Sequence, residues 1–319
     1  MTKTKENPLI GQIRKRWEEL IGVNPRLRQL AEFHQAVCAR LYRQPPHLTE
    51  LPLQPAALKN KLEQDRALLQ GEEARLDLTP TIPLFYELID LASTYRETLK
   101  GGSQRLPEGS FGISSRPSLL RKVLTGAKSA LGRDSAQAQG PEVPRLLVQA
   151  LLGDLDPIAR EAMRLGISLE LLLTLLQYSL MPALQSYARQ LKPVLELDLW
   201  TRGYCPVCGA WPVLSELRGA DPIRYLRCAL CGSDWVYPLL RCPYCENADH
   251  KRLEYFFVEG EEKKERVYTC EECKGYMKVF STLDPIQAEL LTLEDLATLH
   301  LDMIASEKGY SRPYPFQKV

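Results

Sequence analysis

Eight of the nine cysteines in this 319-residue chain lie between positions 205 and 273, and each belongs to a pair separated by two residues. The pairs are Cys205/Cys208, Cys228/Cys231, Cys242/Cys245 and Cys270/Cys273, with 19, 10 and 24 residues between successive pairs. Two thiolates at that separation can wrap one ion through a tight turn. A second such turn on a neighbouring hairpin then completes a tetrahedron, the template of zinc ribbons and rubredoxin-type iron sites. A single pair, such as the one in YCPVCGAWP at 204–212, could instead serve thiol–disulfide exchange, but a redox dithiol normally stands alone at a helix N-terminus beside a βαβ unit. Here three sister pairs follow and the βαβ context is missing. The expectation is two metal ions, one held by Cys205, Cys208, Cys228 and Cys231 and the other by Cys242, Cys245, Cys270 and Cys273. A crossed pairing would require longer loop closure. Spacing does not separate iron from zinc, since both accept four thiolates.

Residues next to the thiols bear on the same chemistry. Gly209 and Gly232 follow the second cysteine of their pairs, where a positive φ lets backbone N–H groups turn toward sulfur. In the other two pairs that freedom is expected one step later, at Asn247 and Gly275. Trp211, Trp235 and Tyr244 either cover the sulfurs or line a partner groove, the first being the commoner use of such side chains. His250 is not needed as a ligand once four thiolates saturate each site. The run EGEEKKER, 259–266, reads as a solvated hairpin turn, and either metal serves at the least to staple a region too small for an adequate core.

The other residue types argue against several functions. Between Arg202 and Lys274 there are eleven Lys/Arg and twelve Asp/Glu, and the formal net charge of the whole chain is +1, so no basic footprint for nucleic acid is present. The four histidines are scattered, and the sequence contains no nucleophile elbow, Walker loop or dinucleotide fingerprint, which argues against an enzyme. Cys38, in AEFHQAVCAR, reads as a small buried hydrophobe.

Positioning these thiols falls to two contrasting halves. With 45 % hydrophobic and 25 % charged residues the chain has the balance of a globular protein. Helical periodicity runs over 12–21, 26–42, 55–70, 82–99, 118–131, 145–152, 157–166 and 168–191, with a Gly/Ser-rich connection at 100–117. From Trp200 the pattern changes to short β-prone runs (RYLRC, WVYPLL, LEYFFVEG, RVYTC, YMKVF) between the cysteine pairs, and one amphipathic helix, 293–308, precedes the tail. The expected class is α+β: a helical domain over 1–197, tandem rubredoxin-like or zinc-ribbon modules over 198–236 and 237–285, and a C-terminal helix and tail over 286–319. The join KPVLELDLWTRGY, 192–204, reads as a hinge. No run approaches the roughly 18 apolar residues of a membrane span, and the first twenty residues lack a secretory pattern. The expected location is therefore the cytoplasm, where thiols stay reduced.

The order GYCPVCGAWP, IRYLRCALCGSDW, RCPYCEN, YTCEECKGYMKV, EDLATLHLD and GYSRPYPF resembles the FdhE family of formate dehydrogenase accessory proteins, most specifically from Tyr204 to Tyr310. The resemblance implies a helical region followed by two rubredoxin-like modules, with iron as the metal and all eight family cysteines present at the positions above. It further implies a cytoplasmic, chaperone-like maturation factor that binds the catalytic, molybdenum-containing subunit of formate dehydrogenase before twin-arginine export, and it allows self-association. Two other classes compete on the residues alone: a rubredoxin-like iron electron-transfer protein and, disfavoured by charge, a zinc-ribbon nucleic-acid binder. Ala210-Trp211 and the short tail depart from the family pattern without touching a ligand.

Overall fold

The computed structural model describes residues 7–43, 48, 51, 54–101, 142–192, 200–260 and 264–316, and its first half is helical as expected, with one helix shorter than its pattern. The helix expected at 118–131, the rest of the connection before it and most of the join before Trp200 lie outside those residues. The helices are α1 (Pro8–Val23), α2 (Arg28–Leu41), α3 (Pro55–Glu63), α4 (Thr81–Gly101), α5 (Val143–Leu152), α6 (Leu155–Leu165) and α7 (Leu169–Leu191). Proline at the first turn opens α1, α3 and α5, where its missing N–H costs nothing. Ser168 caps α7 by accepting from the Leu171 N–H at 3.2 Å. As its apolar pattern required, α7 is central, with Leu172, Leu176, Leu180, Leu184 and Tyr187 fully enclosed.

One helix is shorter than its periodicity suggested. The pattern of α3 runs on to Gln70, but the helix ends at Glu63 and Asp65 turns with φ +56°. The reason is tertiary: the N–H groups of Leu68 and Leu69 donate to the Pro206 and Val207 carbonyls of the first cysteine turn, at 2.8 and 2.9 Å. Those donors are spent outside the helix. At the end of the join, where a hinge was expected, Trp200 is packed into one apolar core with α2, α4 and α7, together with Cys205, Val207, Leu230 and Trp235 of the first module.

Six strands follow: β1 (Leu214–Arg218), β2 (Ile223–Arg227), β3 (Asp234–Val236), β4 (Leu253–Phe256), β5 (Glu265–Cys270) and β6 (Tyr276–Thr282). Their order is β3-β2-β1-β6-β5-β4, antiparallel throughout except at the centre, where β1 and β6 run parallel with Ser215 opposite Val279. That parallel pair fuses the two cysteine-bearing hairpin sets into one sheet. The expected C-terminal helix is two helices, α8 (Leu291–Ala297) and α9 (Leu299–Glu307). The Asp295 carbonyl, which would accept from residue 299 in a continuous helix, instead accepts from Lys278 Nζ at 2.7 Å. Both helices cover the sheet, Leu291 against Leu214 and Phe280, and Leu301 and Ala305 against Val267 and Tyr276. Leu293 also reaches Ile13 and Trp17 of α1, beside a bidentate Arg16–Glu294 pair at 2.8 Å.

No single described helix is long and apolar enough to cross a membrane. Within the helical half, Cys38 is buried as expected beside His34, whose Nδ1 accepts from Trp17 Nε1 at 3.1 Å. Burial pushes the His34 imidazole down to about 4, so it folds neutral. The unfolded chain then binds the extra proton between about pH 6.5 and 4, and folding stability is expected to fall by about 3 kcal/mol across that window as the solution is acidified. Denaturant unfolding at closely spaced pH values checks this, with a flatter profile expected for His34→Gln.

Candidate metal centres

Each cysteine pair closes the same turn. The N–H of its first cysteine donates to the carbonyl five residues on: Cys205 to Ala210 at 2.8 Å, Cys228 to Ser233 at 2.9 Å, Cys242 to Asn247 at 2.8 Å and Cys270 to Gly275 at 2.9 Å. The residue after the second cysteine has positive φ in all four: Gly209 (+78°), Gly232 (+80°), Glu246 (+60°) and Lys274 (+54°). In the third and fourth pairs the strained position is therefore Glu246 and Lys274 themselves, one step before the expected Asn247 and Gly275. Ion pairs hold them there, Glu246 with Arg202 and Arg241 at 2.9 Å, and Lys274 with Glu271. Gly275 has a different task. A Cβ there would come within 2.7 Å of the Tyr244 ring and 3.1 Å of the Cys273 sulfur.

The turns bring the sulfurs together in the arrangement that the spacing predicted: Cys205, Cys208, Cys228 and Cys231 in one cluster, Cys242, Cys245, Cys270 and Cys273 in the other, each within 4.8 Å. Closest separations are 3.4 Å (Cys205–Cys231) and 3.5 Å (Cys208–Cys228) in the first, and 3.7 Å (Cys242–Cys273 and Cys245–Cys270) in the second. A disulfide would need about 2.05 Å. Four sulfurs each about 2.3 Å from a central ion would stand about 3.8 Å apart, close to what is seen.

Charge makes the same case. In the first cluster burial drives the Cys205 and Cys208 thiols well up. Burial acts on Cys231 in the same direction, but hydrogen bonds from Cys205, Cys208 and Cys228 outweigh it and hold this thiol well down. In the second, donation from Cys273, against burial, holds Cys242 down to about 5. A cluster this tight cannot carry four thiolates without a central cation. The residues thus fit two metal ions, held by four sulfurs each.

Aromatic side chains share the apolar clusters of the thiols, Trp200, Tyr204 and Trp235 with the first four and Trp211 and Tyr244 with the second. Trp200, Tyr204, Trp211 and Tyr244 meet edge to face in file, with ring centroids 5.2, 5.8 and 5.6 Å apart. Trp235 is buried and donates from Nε1 to the Arg202 carbonyl at 3.2 Å. His250 is exposed and belongs to neither cluster. Of the run 259–266, read as a turn, Glu265 and Arg266 instead begin β5 and pair with β6, while Glu259 and Gly260 lie between β4 and β5. Between the two sites Gly203 passes so close to the third turn that a Cβ would lie 1.8 Å from the Pro243 carbonyl oxygen. Gly203→Ala is expected to cost about 3 kcal/mol by forcing the backbones apart, measurable by denaturant unfolding of metal-loaded protein.

Sequence reasoning missed a set of buried charges behind the clusters. Lys278 is fully enclosed and its Nζ meets Asp295 at 2.6 Å and Asp302 at 2.8 Å. Arg312 closes the set with Asp295 at 2.8 Å and Asp302 at 3.0 Å, and Tyr276 donates its hydroxyl to Asp302 at 2.7 Å. A second set centres on fully buried Glu216, which faces Arg227, Arg218 and the Ile286 N–H. The available signal was that Tyr276 and Lys278 (GYMKV), Asp295 (EDLA), Asp302 (HLD) and Arg312 (SRPY) all sit in the segments that carry the family resemblance.

The tail after α9 straps the units together. Ser311 and Lys274 pair through a 2.9 Å backbone bond, Trp211 N–H donates to the Pro315 carbonyl at 2.5 Å, and Phe316 packs beside Gly153 of the helical half.

Comparison with known proteins matches residues 204–238 to the model of the FdhE central domain and residues 240–316 to that of the FdhE C-terminal domain. The chain is similar to the FdhE homolog of Aquifex aeolicus, 34 % identical over 148 residues, covering 46 % of this chain and 51 % of that protein. It is 37 % identical to the Pseudomonas aeruginosa homolog over 123 residues, covering 36 % and 39 %, and 35 % identical to Escherichia coli K12 FdhE over 115 residues, covering 35 % and 36 %. The matched stretch thus spans about half of the first relative and little more than a third of the other two. In fold the likeness extends further. The crystal structure of the Pseudomonas aeruginosa FdhE protein covers 97 % of this chain and 95 % of its own with a TM-score of 0.59 at 23 % identity, so the helical half shares that architecture.

Proposed function

We propose, from the premise that this chain belongs to the FdhE family, that it is an accessory protein for formate dehydrogenase maturation and a chaperone-like binder rather than an enzyme. Its client would be the catalytic, molybdenum-containing subunit, held in the cytoplasm before twin-arginine export. The observation that carries this reading is the match of both FdhE domain models to residues 204–316, the span that contains both tetrathiolate clusters and the buried ion set.

The site residues proposed as ligands are Cys205, Cys208, Cys228 and Cys231 for one ion and Cys242, Cys245, Cys270 and Cys273 for the other. Iron or zinc would supply the positive centre that lets four sulfurs stay deprotonated side by side. The domains proposed are the helical domain 1–197, the modules 198–236 and 237–285 and the C-terminal part 286–319. Their described residues are proposed to act as one rigid body, because the first cysteine turn is hydrogen-bonded to the 65–70 turn and the tail straps both modules to the helices. A client surface is then to be sought outside the 65–70/206–207 join, which is closed by backbone hydrogen bonds.

Affinity purification of the catalytic subunit from cells making both proteins tests the proposal. Recovery of this chain in the complex, with lower formate dehydrogenase activity in cells lacking it, is expected. Absence of the complex together with undiminished activity would overturn it. An absorption spectrum of the anaerobically purified chain bears on the electron-transfer alternative, which requires a coloured, reversibly reducible protein.

A further inference from the structure

The two clusters differ in how they are enclosed. All four thiols of the first are buried, and both of its turns are covered from outside their own module. The Pro206 and Val207 carbonyls are taken by the Leu68 and Leu69 N–H groups. A Cβ on Gly209 would stand 3.4 Å from the Ala67 Cβ, and one on Gly232 would stand 2.9 Å from the Ala288 Cβ. The first turn is thus covered by the 65–70 segment and the second by the segment that carries Ala288.

The second cluster is covered less completely: the Ser311 N–H donates to the Lys274 carbonyl at 2.9 Å and Gly203 packs against Pro243, yet two of its four thiols stay partly exposed. Cys242 and Cys270 are buried, but Cys245 and Cys273 are half-exposed, each the second cysteine of its pair and so at the outer end of its turn. After Cys245 the chain reaches solvent at Ala248 and Asp249, beyond the partly buried Glu246 and Asn247, and after Cys273 it does so at once, at Lys274. Access governs thiol exchange as strongly as intrinsic reactivity, and a group that must wait for local opening reacts more slowly in proportion to the opening equilibrium.

We infer that the second cluster is a metal-exchange site open to an incoming thiol along its Cys245–Cys273 edge, and that the first is a closed structural site. The inference rests on the two clusters holding metal and not on the identity of the client. The exchange is a ligand substitution without electron transfer. With an ion bound, an incoming thiol would give its proton to solvent on taking a place at the metal, and the Cys245 or Cys273 sulfur that it displaced would take a proton from solvent. The partner chemistry it suits is a soft donor, a thiol on a small molecule or on an unfolded segment.

The test uses the full chain loaded with zinc, its metal content measured first. Metal capture by the chromophoric chelator 4-(2-pyridylazo)resorcinol is followed alongside pulsed N-ethylmaleimide labelling read by peptide mass spectrometry. Two phases of one equivalent each are expected, the faster by at least about tenfold, which corresponds to about 1.4 kcal/mol of extra opening free energy at the first site. Labelling in the fast phase is expected at Cys245 and Cys273, and millimolar glutathione is expected to accelerate that phase alone. Release of both equivalents in a single phase, or labelling of Cys205 or Cys228 in the fast phase, would overturn the inference. A starting content below two equivalents would instead contradict the two-ion reading beneath it.

Discussion

Replacing Cys205 with serine is expected to lower bound metal from two ions per chain to one and to unfold much more than the turn it sits in. The expected size follows from two facts. Structural thiolate sites supply apparent binding free energies of roughly 10–16 kcal/mol, which become folding free energy because the unfolded chain has no preformed site. In this protein that energy is not confined to a small appended module. Cys205, Cys208, Cys228 and Cys231 lie in the same apolar core as α2, α4 and α7. Losing the first ion would leave three buried thiols without a counter-charge and free the turn that satisfies the Leu68 and Leu69 N–H groups. Cys205→Ser should therefore lose helical cooperativity in a thermal melt followed by far-ultraviolet circular dichroism. A melt like that of the unaltered protein, with one ion missing, would show that the first cluster does not support the helical half.

Lys278→Ala should be the most damaging change outside the thiols. The ammonium group has no solvent contact and stands between Asp295 and Asp302. Removing one partner of a buried ion set typically costs about 3–5 kcal/mol, because the others are left desolvated and underpaired. Arg312 would remain, yet it cannot replace the bond to the Asp295 carbonyl that ends α8. The same set predicts an acid limit. Burial raises the Asp295 carboxyl, but Arg312 and Lys278 outweigh this and hold it down to about 2. With the folded value below the unfolded one, the stabilisation is present above about pH 4 and lost as pH falls toward 2, an effect on the order of 2 kcal/mol. Unfolding free energies of the unaltered and Lys278→Ala proteins measured across that range check both statements, the variant showing lower stability and a shallower acid slope.

The sequence was most informative where a short local rule governs. Two residues between cysteines dictate the turn, neighbouring hairpins pair the turns, and the two groups of four sulfurs result. Gly209 and Gly232 were legible for the same reason, because a positive φ there is a local demand. Glu246 and Lys274 were not, since the partners that hold them there come from other parts of the fold or from side-chain pairing that spacing does not reveal. Elements were misjudged where long-range contacts overrule periodicity. The end of α3 is set by a cysteine turn distant in the chain, and the break between α8 and α9 by Lys278. Strand β1 was missed because LSELR reads as polar, and only the arginines around Glu216 make it a central strand. The parallel β1–β6 pairing that joins the two modules has no signature in either module alone.

The most direct measurement on the central claim is native mass spectrometry of anaerobically purified chain, with metal content determined on the same sample. The structure predicts two ions per folded chain and eight cysteines, Cys205 to Cys273, that resist alkylation until a chelator is added. A folded chain carrying no metal, with those eight thiols freely alkylated, would contradict it.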